Sequence, residues 1–234
     1  MDIQIVLSLL AEMRQFRPRE HWTRELLEAH QADALRSLRE YAYAHSPFYQ
    51  QFHRGLYDAP LQELPVLTKA MMMEHFDDLV TDRAIRLEEA KAHMRTLSGD
   101  ERYLDRYWVN ATSGSSGHPG LFLYNRAEWI TVLASFARAR EWAGVKFNLT
   151  SRAKTATVAS TAPFHMSSRV NATAHSWWMP EIRLAASEPL ETIIERLSAW
   201  QPEVLIAYAS MMRLLADEQL AGHLQIAPRA VMTS

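Results

Sequence analysis

Residues 156–234 constrain the fold more than any other part of the chain, because short β-like runs there alternate with helical ones. ATVAST (156–161), IRLAA (182–186), EVLIAY (203–208) and RAVMTS (229–234) are apolar and strand-like. Between the second and third, Leu190, Ile193, Ile194, Leu197 and Trp200 recur at helical spacing, with Ser187 as a cap and Pro189 in the first turn. ASMMRLLADEQL (209–220) is a further helix before the last run. Strand–helix–strand units with connections this short imply an α/β fold with a parallel, doubly wound sheet. Ligands of such sheets sit at the carboxyl ends of the strands, and Met232-Thr233-Ser234 stops at such an end. The expectation is an incomplete domain, a fragment of a longer chain.

Upstream, residues 1–105 form a helical N-terminal region, and 106–234 form the α/β region. Leu27, Ala34, Leu35, Leu38 and Tyr41 fall near one face of a helix. In SPFYQQFHRG, Ser46 is an N-cap, Pro47 suits the first helical position, and Gly55 closes the helix C-terminus. Thr68 caps another helix, in which Met71, Met72 and Met73 read as core and boundary filler. Tyr107–Val109 and Leu121–Tyr124 read as short strands. AEWITVLASFARAREWAG follows as a helix with Ile130, Leu133 and Ala137 inward and Gly144 as its stop.

The charge balance argues against nucleic acid: 25 basic and 27 acidic residues are interspersed without a basic stripe, for a net charge of −2. The opening MDIQIVLSLLAEM is too short and too polar to span a bilayer and reads as an amphipathic helix, so no membrane partner is expected. With no cysteine in the chain, disulfides, thiolate metal sites and a cysteine nucleophile are excluded, and a cytoplasmic location is the expectation. The histidines show neither HExxH nor His-x-His spacing, so no metal site is expected. Half a doubly wound sheet exposes an apolar edge, which favours association, a homodimer being the candidate form.

Between the two short strands lies ATSGSSGHPG (111–120), with four hydroxyls and two glycines in six positions of a chain holding only 7 glycines. Glycine lets backbone amides turn toward an anion, and hydroxyls add donors that follow a phosphate. A solvated Ser/Gly loop has the same composition, and on composition alone the two readings are equal. The stretch is neither GxxxxGK[ST] nor GxGxxG. GSSG is one residue short of the G-x-S-x-G elbow, so a hydrolase with Ser113 or Ser115 as nucleophile is a weak alternative. Trp177 and Trp178 either stack on a ligand or pack at a boundary.

ATSGSSGHPG resembles the phosphate loop of the adenylate-forming superfamily, whose pattern is roughly [ST]-[SG]-G-[ST]-[ST]-G-x-P-K. Taken in order, SPFYQQF, LPVLTKAMMMEHFDDLVTD and ATSGSSGHPGLFLYNRAEW look like the phenylacetate–CoA ligase branch. PFHM (163–166) is similar to a P-x-F-H stretch lining the acyl pocket of the superfamily, and QPEVLIAYASMMRLLADEQ resembles a later segment. The resemblance implies an AMP-forming acid–thiol ligase acting on a small carboxylic acid with ATP, Mg²⁺ and coenzyme A. It implies phosphate contacts from Thr112, Ser113, Gly114, Ser115, Ser116 and Gly117. By the same likeness His165 orients or walls the acyl carboxylate as the catalytic candidate, with Tyr208 and Ser210 beside it in the substrate pocket.

The chain departs from that pattern at Gly120, where the family carries lysine. A bound phosphate then needs its cation from elsewhere: the lysines are Lys69, Lys91, Lys146 and Lys154, and Arg126 follows the second strand. The family's aromatic-x-x-[ST]-E signature, ribose-binding Asp, hinge and C-terminal catalytic Lys have no counterpart in these residues. The competing expectation is an inactive remnant or binding module of the same fold.

Overall fold

The regular elements before residue 96 are helices in the computed structural model, which describes residues 3–114, 119–145, 153–174 and 180–233. The chain divides into two compact units. One comprises Met1–Met13, Ser98–Asp100 and Asn125–Ser234, and the other Arg14–Leu97 and Glu101–Tyr124. The opening helix, α1 (Ile3–Arg19), buries Ile5 and Met13. No described helix is long and apolar enough to cross a membrane.

In α2 (Arg24–His45), Thr23 is the N-cap, its hydroxyl accepting from Leu26 N. No residue of α2 is buried, and Leu38 and Tyr41 of the expected apolar stripe are 64% and 53% exposed. Of the expected stripe Leu35 is half-buried, and Arg39, Ala42 and Tyr43 are half-buried with it. Arg39 sets that rotation: its guanidinium donates to the carbonyls of Leu56, Tyr57 and Ala59 at 2.6–2.8 Å. Several charge-assisted bonds from one fork outweigh the burial of a leucine edge.

Ser46 is fully buried and N-caps α3 (Pro47–Phe52), accepting from Tyr49 N while its own hydroxyl donates to Asp78 O at 3.1 Å. Pro47 opens this helix as expected, whereas Gly55 (φ +78°) turns the chain after the helix has ended. Thr68 caps α4 (Lys69–Glu74) through Met71 N. After α5 (Phe76–Leu79) comes α6 (Leu87–Arg95), whose Leu87 N donates to Asp77 Oδ1 at 2.8 Å. Strands β1 (Trp108–Ala111) and β2 (Leu121–Tyr124) pair antiparallel, Ala111 opposite Leu121. Phe76, Ile85, Ala90, Tyr103, Val109 and Leu121 make the core of this unit.

In the other unit, α7 (Arg126–Trp142) begins with a capping box. Asn125 accepts from Glu128 N and the Glu128 carboxylate accepts from Asn125 N. Ile130 and Leu133 are buried, as are Trp129 and Ala134. Then follow β3 (Thr155–Ala159), α8 (Met166–Ala174), β4 (Glu181–Ala185), α9 (Leu190–Trp200), β5 (Val204–Ala207), α10 (Ala209–Leu220) and β6 (Ala230–Thr233). The four strands are parallel in the order β4-β3-β5-β6, so the expected α/β architecture, a helical N-terminal region and part of a parallel sheet, is present. One face of the sheet (Ala156, Val158, Leu184, Leu205, Ala207) packs on Ile193 and Leu197 of α9, Leu215 of α10, Leu224 and Ile226.

Ser187 does not cap α9. The chain enters through Pro189, and the preceding turn is held by Glu188, whose carboxylate accepts from Ala185 N at 3.0 Å and from Arg196 at 3.1 Å. Gln201, at φ +52°, ends α9 in the left-handed region, its side-chain amide donating to Ser198 O and Gln225 O. Leu197 has no exposed surface. Leu197→Ala is expected to lower unfolding free energy by about 3 kcal/mol through lost burial and a residual cavity, as read from denaturant unfolding.

Candidate functional site

Strand order fixes where a crevice can form. From β3 the chain crosses to β4 on one side, then returns to β5 on the other side of β3 and continues outward to β6. The connections therefore diverge at β3 and β5, and an open parallel sheet binds ligands at the carboxyl ends flanking that divergence. A cavity of about 710 Å³ lies there, lined by Ser160, Thr161, Ala162 and Pro163 after β3, Ala186 and Ser187 after β4, and Tyr208 after β5.

Hydrogen bonds hold the cavity walls in place. Tyr208 OH accepts from Ser160 N at 3.0 Å, and Ser160 Oγ accepts from Ala162 N at 3.2 Å. Arg183 on β4 donates to Ser160 O, Ser167 O and Ser168 Oγ at 3.2–3.4 Å, so one guanidinium ties the end of β3 to the first turn of α8. Ala186 N donates to Ala159 O at 3.0 Å and closes the β3–β4 side. The lining carries four hydroxyls and no ionised side chain. Such a wall orients a polar ligand through hydrogen bonds and leaves its charge to other groups.

Of the expected acyl-pocket residues, Tyr208 lines this cavity; His165 and Ser210 are not among its lining residues. His165 is half-buried in the turn entering α8, with its N–H donating to Ala162 O at 3.1 Å and its carbonyl accepting from Arg169 N. Its ring packs edge-on to Phe164 at 4.9 Å between centroids. Burial pushes its imidazole below the ordinary range, which favours the neutral base at pH 7. Ser210 is exposed in the first turn of α10.

In the other unit, the hydroxyl-rich loop leaves the β1–β2 hairpin through a two-bond clamp. Thr112 N donates to Gly120 O at 2.9 Å and Gly120 N donates to Thr112 Oγ1 at 2.8 Å. With its oxygen accepting, the exposed Thr112 hydroxyl keeps its proton for an outside acceptor, and Ser113 is exposed beside it. Gly114 sits at φ +71°, and a Cβ there would stand 3.3 Å from Pro119 Cδ, so both backbone and space require glycine. Ser115, Ser116 and Gly117 lie outside the described residues, as do His118, Trp177 and Trp178. Among the described residues, no group of three or more His, Asp or Glu side chains is arranged to hold a metal ion.

Residue-by-residue reading of the sequence missed two features. Arg183 looks like an ordinary strand charge, and only the register beside β3 reveals its bonds. Asn110, on the strand leading into the loop, is 3% exposed, and among the described residues neither its amide nitrogen nor its oxygen has a hydrogen-bond partner. A buried amide left without partners costs about 1–3 kcal/mol.

No protein-family model matches the chain, and no curated protein sequence matches it. Its fold is similar to that of solved 2-hydroxyisobutyryl-CoA ligase structures. With the ligase in complex with 2-HIB-AMP and CoA in the thioesterification state the TM-score is 0.58 at 19% identity, covering 86% of this chain and 41% of that one. The open conformation with the same ligands gives 0.54 at 19%, covering 81% and 39%. The postadenylation state with 2-HIB-AMP gives 0.53 at 19%, covering 81% and 38%. The chain thus spans about two fifths of the length of those ligase chains, and the likeness is one of fold.

Two outcomes are expected. Arg183→Met should speed amide hydrogen exchange in residues 160–168 at least tenfold, about 1.4 kcal/mol of local opening. For His165, the folded value lies below the unfolded one near 6.5. Between the two the unfolded chain binds more protons, so the contribution to stability is complete above about 6.5 and falls as pH drops toward the folded value. An NMR titration should place the His165 midpoint below 6.5, and His165→Gln should flatten that limb of the stability profile.

Proposed function

We propose that this chain is the N-terminal portion of an ATP-dependent carboxylate–CoA ligase of the phenylacetate–CoA ligase type, cytoplasmic and able to self-associate as a homodimer. The observation that carries the reading is the cavity of about 710 Å³ at the divergence of β3 and β5, in a fold shared with part of a CoA ligase solved with an acyl adenylate. The three ordered stretches at SPFYQQF, LPVLTKAMMMEHFDDLVTD and ATSGSSGHPG supply the choice of branch.

In this reading a carboxylate oxygen attacks the α-phosphorus of ATP and pyrophosphate leaves with the electron pair of the bond broken. The thiol of coenzyme A then attacks the acyl carbonyl, gives up its proton, and AMP departs. Thr112, Ser113 and Gly114, with Ser115, Ser116 and Gly117, steady the β- and γ-phosphates by amide and hydroxyl donation. Tyr208, with Ser160 held against it, walls the acyl group, and His165 and Ser210 serve the same pocket. A neutral His165 suits a carboxylate neighbour, because it can donate one hydrogen bond without trapping the nucleophile as an ion pair. The described residues bring no metal-binding cluster of their own. Mg²⁺ enters this reading only as the counter-ion of the nucleotide.

ATP binding measured by calorimetry, followed by ATP–pyrophosphate exchange with a panel of aryl acids, tests the reading. The chain should bind ATP, and Ser113→Ala should weaken that binding about tenfold. Acid-dependent exchange supports the ligase. Binding without exchange selects the inactive remnant or binding module. ATP-independent ester cleavage lost in Ser115→Ala selects the hydrolase, and absence of ATP binding rejects the ligase.

A further inference from the structure

Between two stretches that belong to the other unit, the chain enters the sheet unit for three residues, Ser98–Asp100. Those residues lie against α8, whose two buried positions, Arg169 and Thr173, stand one turn apart on one face. Arg169 has no exposed surface and donates from Nη1 to Gly99 O at 2.5 Å. Thr173 Oγ1 donates to Asp100 Oδ1 at 2.5 Å and accepts from the Trp129 indole N–H at 3.1 Å. No apolar side chain of α8 is buried, so the helix meets the interior of its unit through these polar bonds.

The other end of α8 carries the cavity wall. Its first turn follows directly from residues 160–165, and Arg169 N donates to His165 O at 2.9 Å. Ser168 Oγ donates to Ser160 O at 3.3 Å, beside the bonds that Arg183 makes to the same turn. One short helix thus joins two sets of polar bonds, to Ser98–Asp100 at Arg169 and Thr173 and to the wall at Ser160 and His165. A helix of this length is marginal by itself, and without a buried apolar face its seat depends on those bonds. Moving Gly99 and Asp100 away removes the acceptors of two buried donors together, which makes the contact all-or-none.

We propose that Ser98–Asp100 is a strap that seats α8 and, through α8, holds the cavity wall at Ser160 and His165, with Arg169 and Thr173 as its positioning residues. The proposal goes beyond the ligase reading and holds for whichever ligand the cavity takes. With the strap in place, the connection from β3 to α8 is fixed beside Tyr208. With the strap released, α8 and residues 160–165 open together while β3, β5 and α9 stay folded. Local opening of this kind belongs to the low-stability end of a fold, from which the moving walls of ligand sites are drawn.

Amide hydrogen exchange and an NMR titration of His165 in the whole chain test the strap. Thr173→Val removes the hydroxyl and keeps the shape, Thr173→Ser keeps the hydroxyl, and Asp100→Ala removes the acceptor from the other side. Thr173→Val and Asp100→Ala should each speed exchange in residues 160–174 about tenfold and raise the His165 midpoint to about 6.5, the value of an exposed imidazole. Thr173→Ser should match the parent in both readings. Thr173→Val combined with Asp100→Ala should go no further than either alone, because both break one bond. Exchange in β3 and α9 should keep the parent's rate throughout. If the His165 midpoint and exchange in 160–174 keep parent values in Thr173→Val and Asp100→Ala, the strap does not seat α8. If exchange in β3 and α9 rises in step with that of α8, the bonds serve the whole core and the proposal is wrong. Should Thr173→Val fail to fold, Asp100→Ala, at a half-buried position, decides the matter by the same two readings.

Discussion

Parallel pairing of β3 with β4 on one side and β5 on the other is the constraint from which the sheet unit follows. A strand bonded on both edges and packed on both faces excludes water along its whole length, and all five residues of β3 are buried. Because the chain runs from β3 to β4 on one side and from β5 to β6 on the other, the turns after β3 and β5 lead away from each other and leave a crevice at their carboxyl ends. The faces of β3 then divide the work. Ala156 and Val158 pack on α9 and α10, whereas Thr157 Oγ1 donates to the Glu181 carboxylate at 2.8 Å and Thr155 Oγ1 accepts from Arg140 at 3.2 Å. The apolar face supplies cohesion and the polar face fixes the orientation of charged neighbours, Arg183 among them.

Much of this architecture is legible in sequence because its signal is local. The β-like runs at 156–161, 182–186, 203–208 and 229–234 and the helical period through Leu190, Ile193, Leu197 and Trp200 each coincide with an element and a buried face. Helix α8 is not legible, since SSRVNATA offers no apolar stripe. Its inward residues are Arg169 and Thr173, held by Gly99 O, the Asp100 carboxylate and the indole N–H of Trp129. A helix buried through polar contacts carries no hydrophobic period for the eye to find. The face of α2 is misread for a related reason, because Arg39 reaches three carbonyls that lie far along the chain.

The candidate site divides along the same line. Hydroxyls and glycines packed into 112–117 announce a loop with special backbone needs, and Gly114 at φ +71° bears that out among the described positions. Tyr208 is placed by the end of its strand, a position the pattern of runs predicts. The bonds that shape the cavity are another matter. Ser160 to Tyr208 and Arg183 to Ser160 join residues whose spacing means nothing until three strands are in register. Sequence identifies the strand ends; register decides which side chains meet there.

Two glycines in one hairpin illustrate how similar letters carry different physics. Gly114 is required by its own backbone, in a region where a Cβ costs steric strain and would also press on Pro119. Gly120 has no such backbone demand: its φ lies outside the left-handed region, and its need is for space against Phe122, Met72 and Lys69. The first glycine shapes the loop from within, while the second admits a partner from α4. The room around position 120 is bounded by Phe122 from the hairpin and by Met72 and Lys69 from α4.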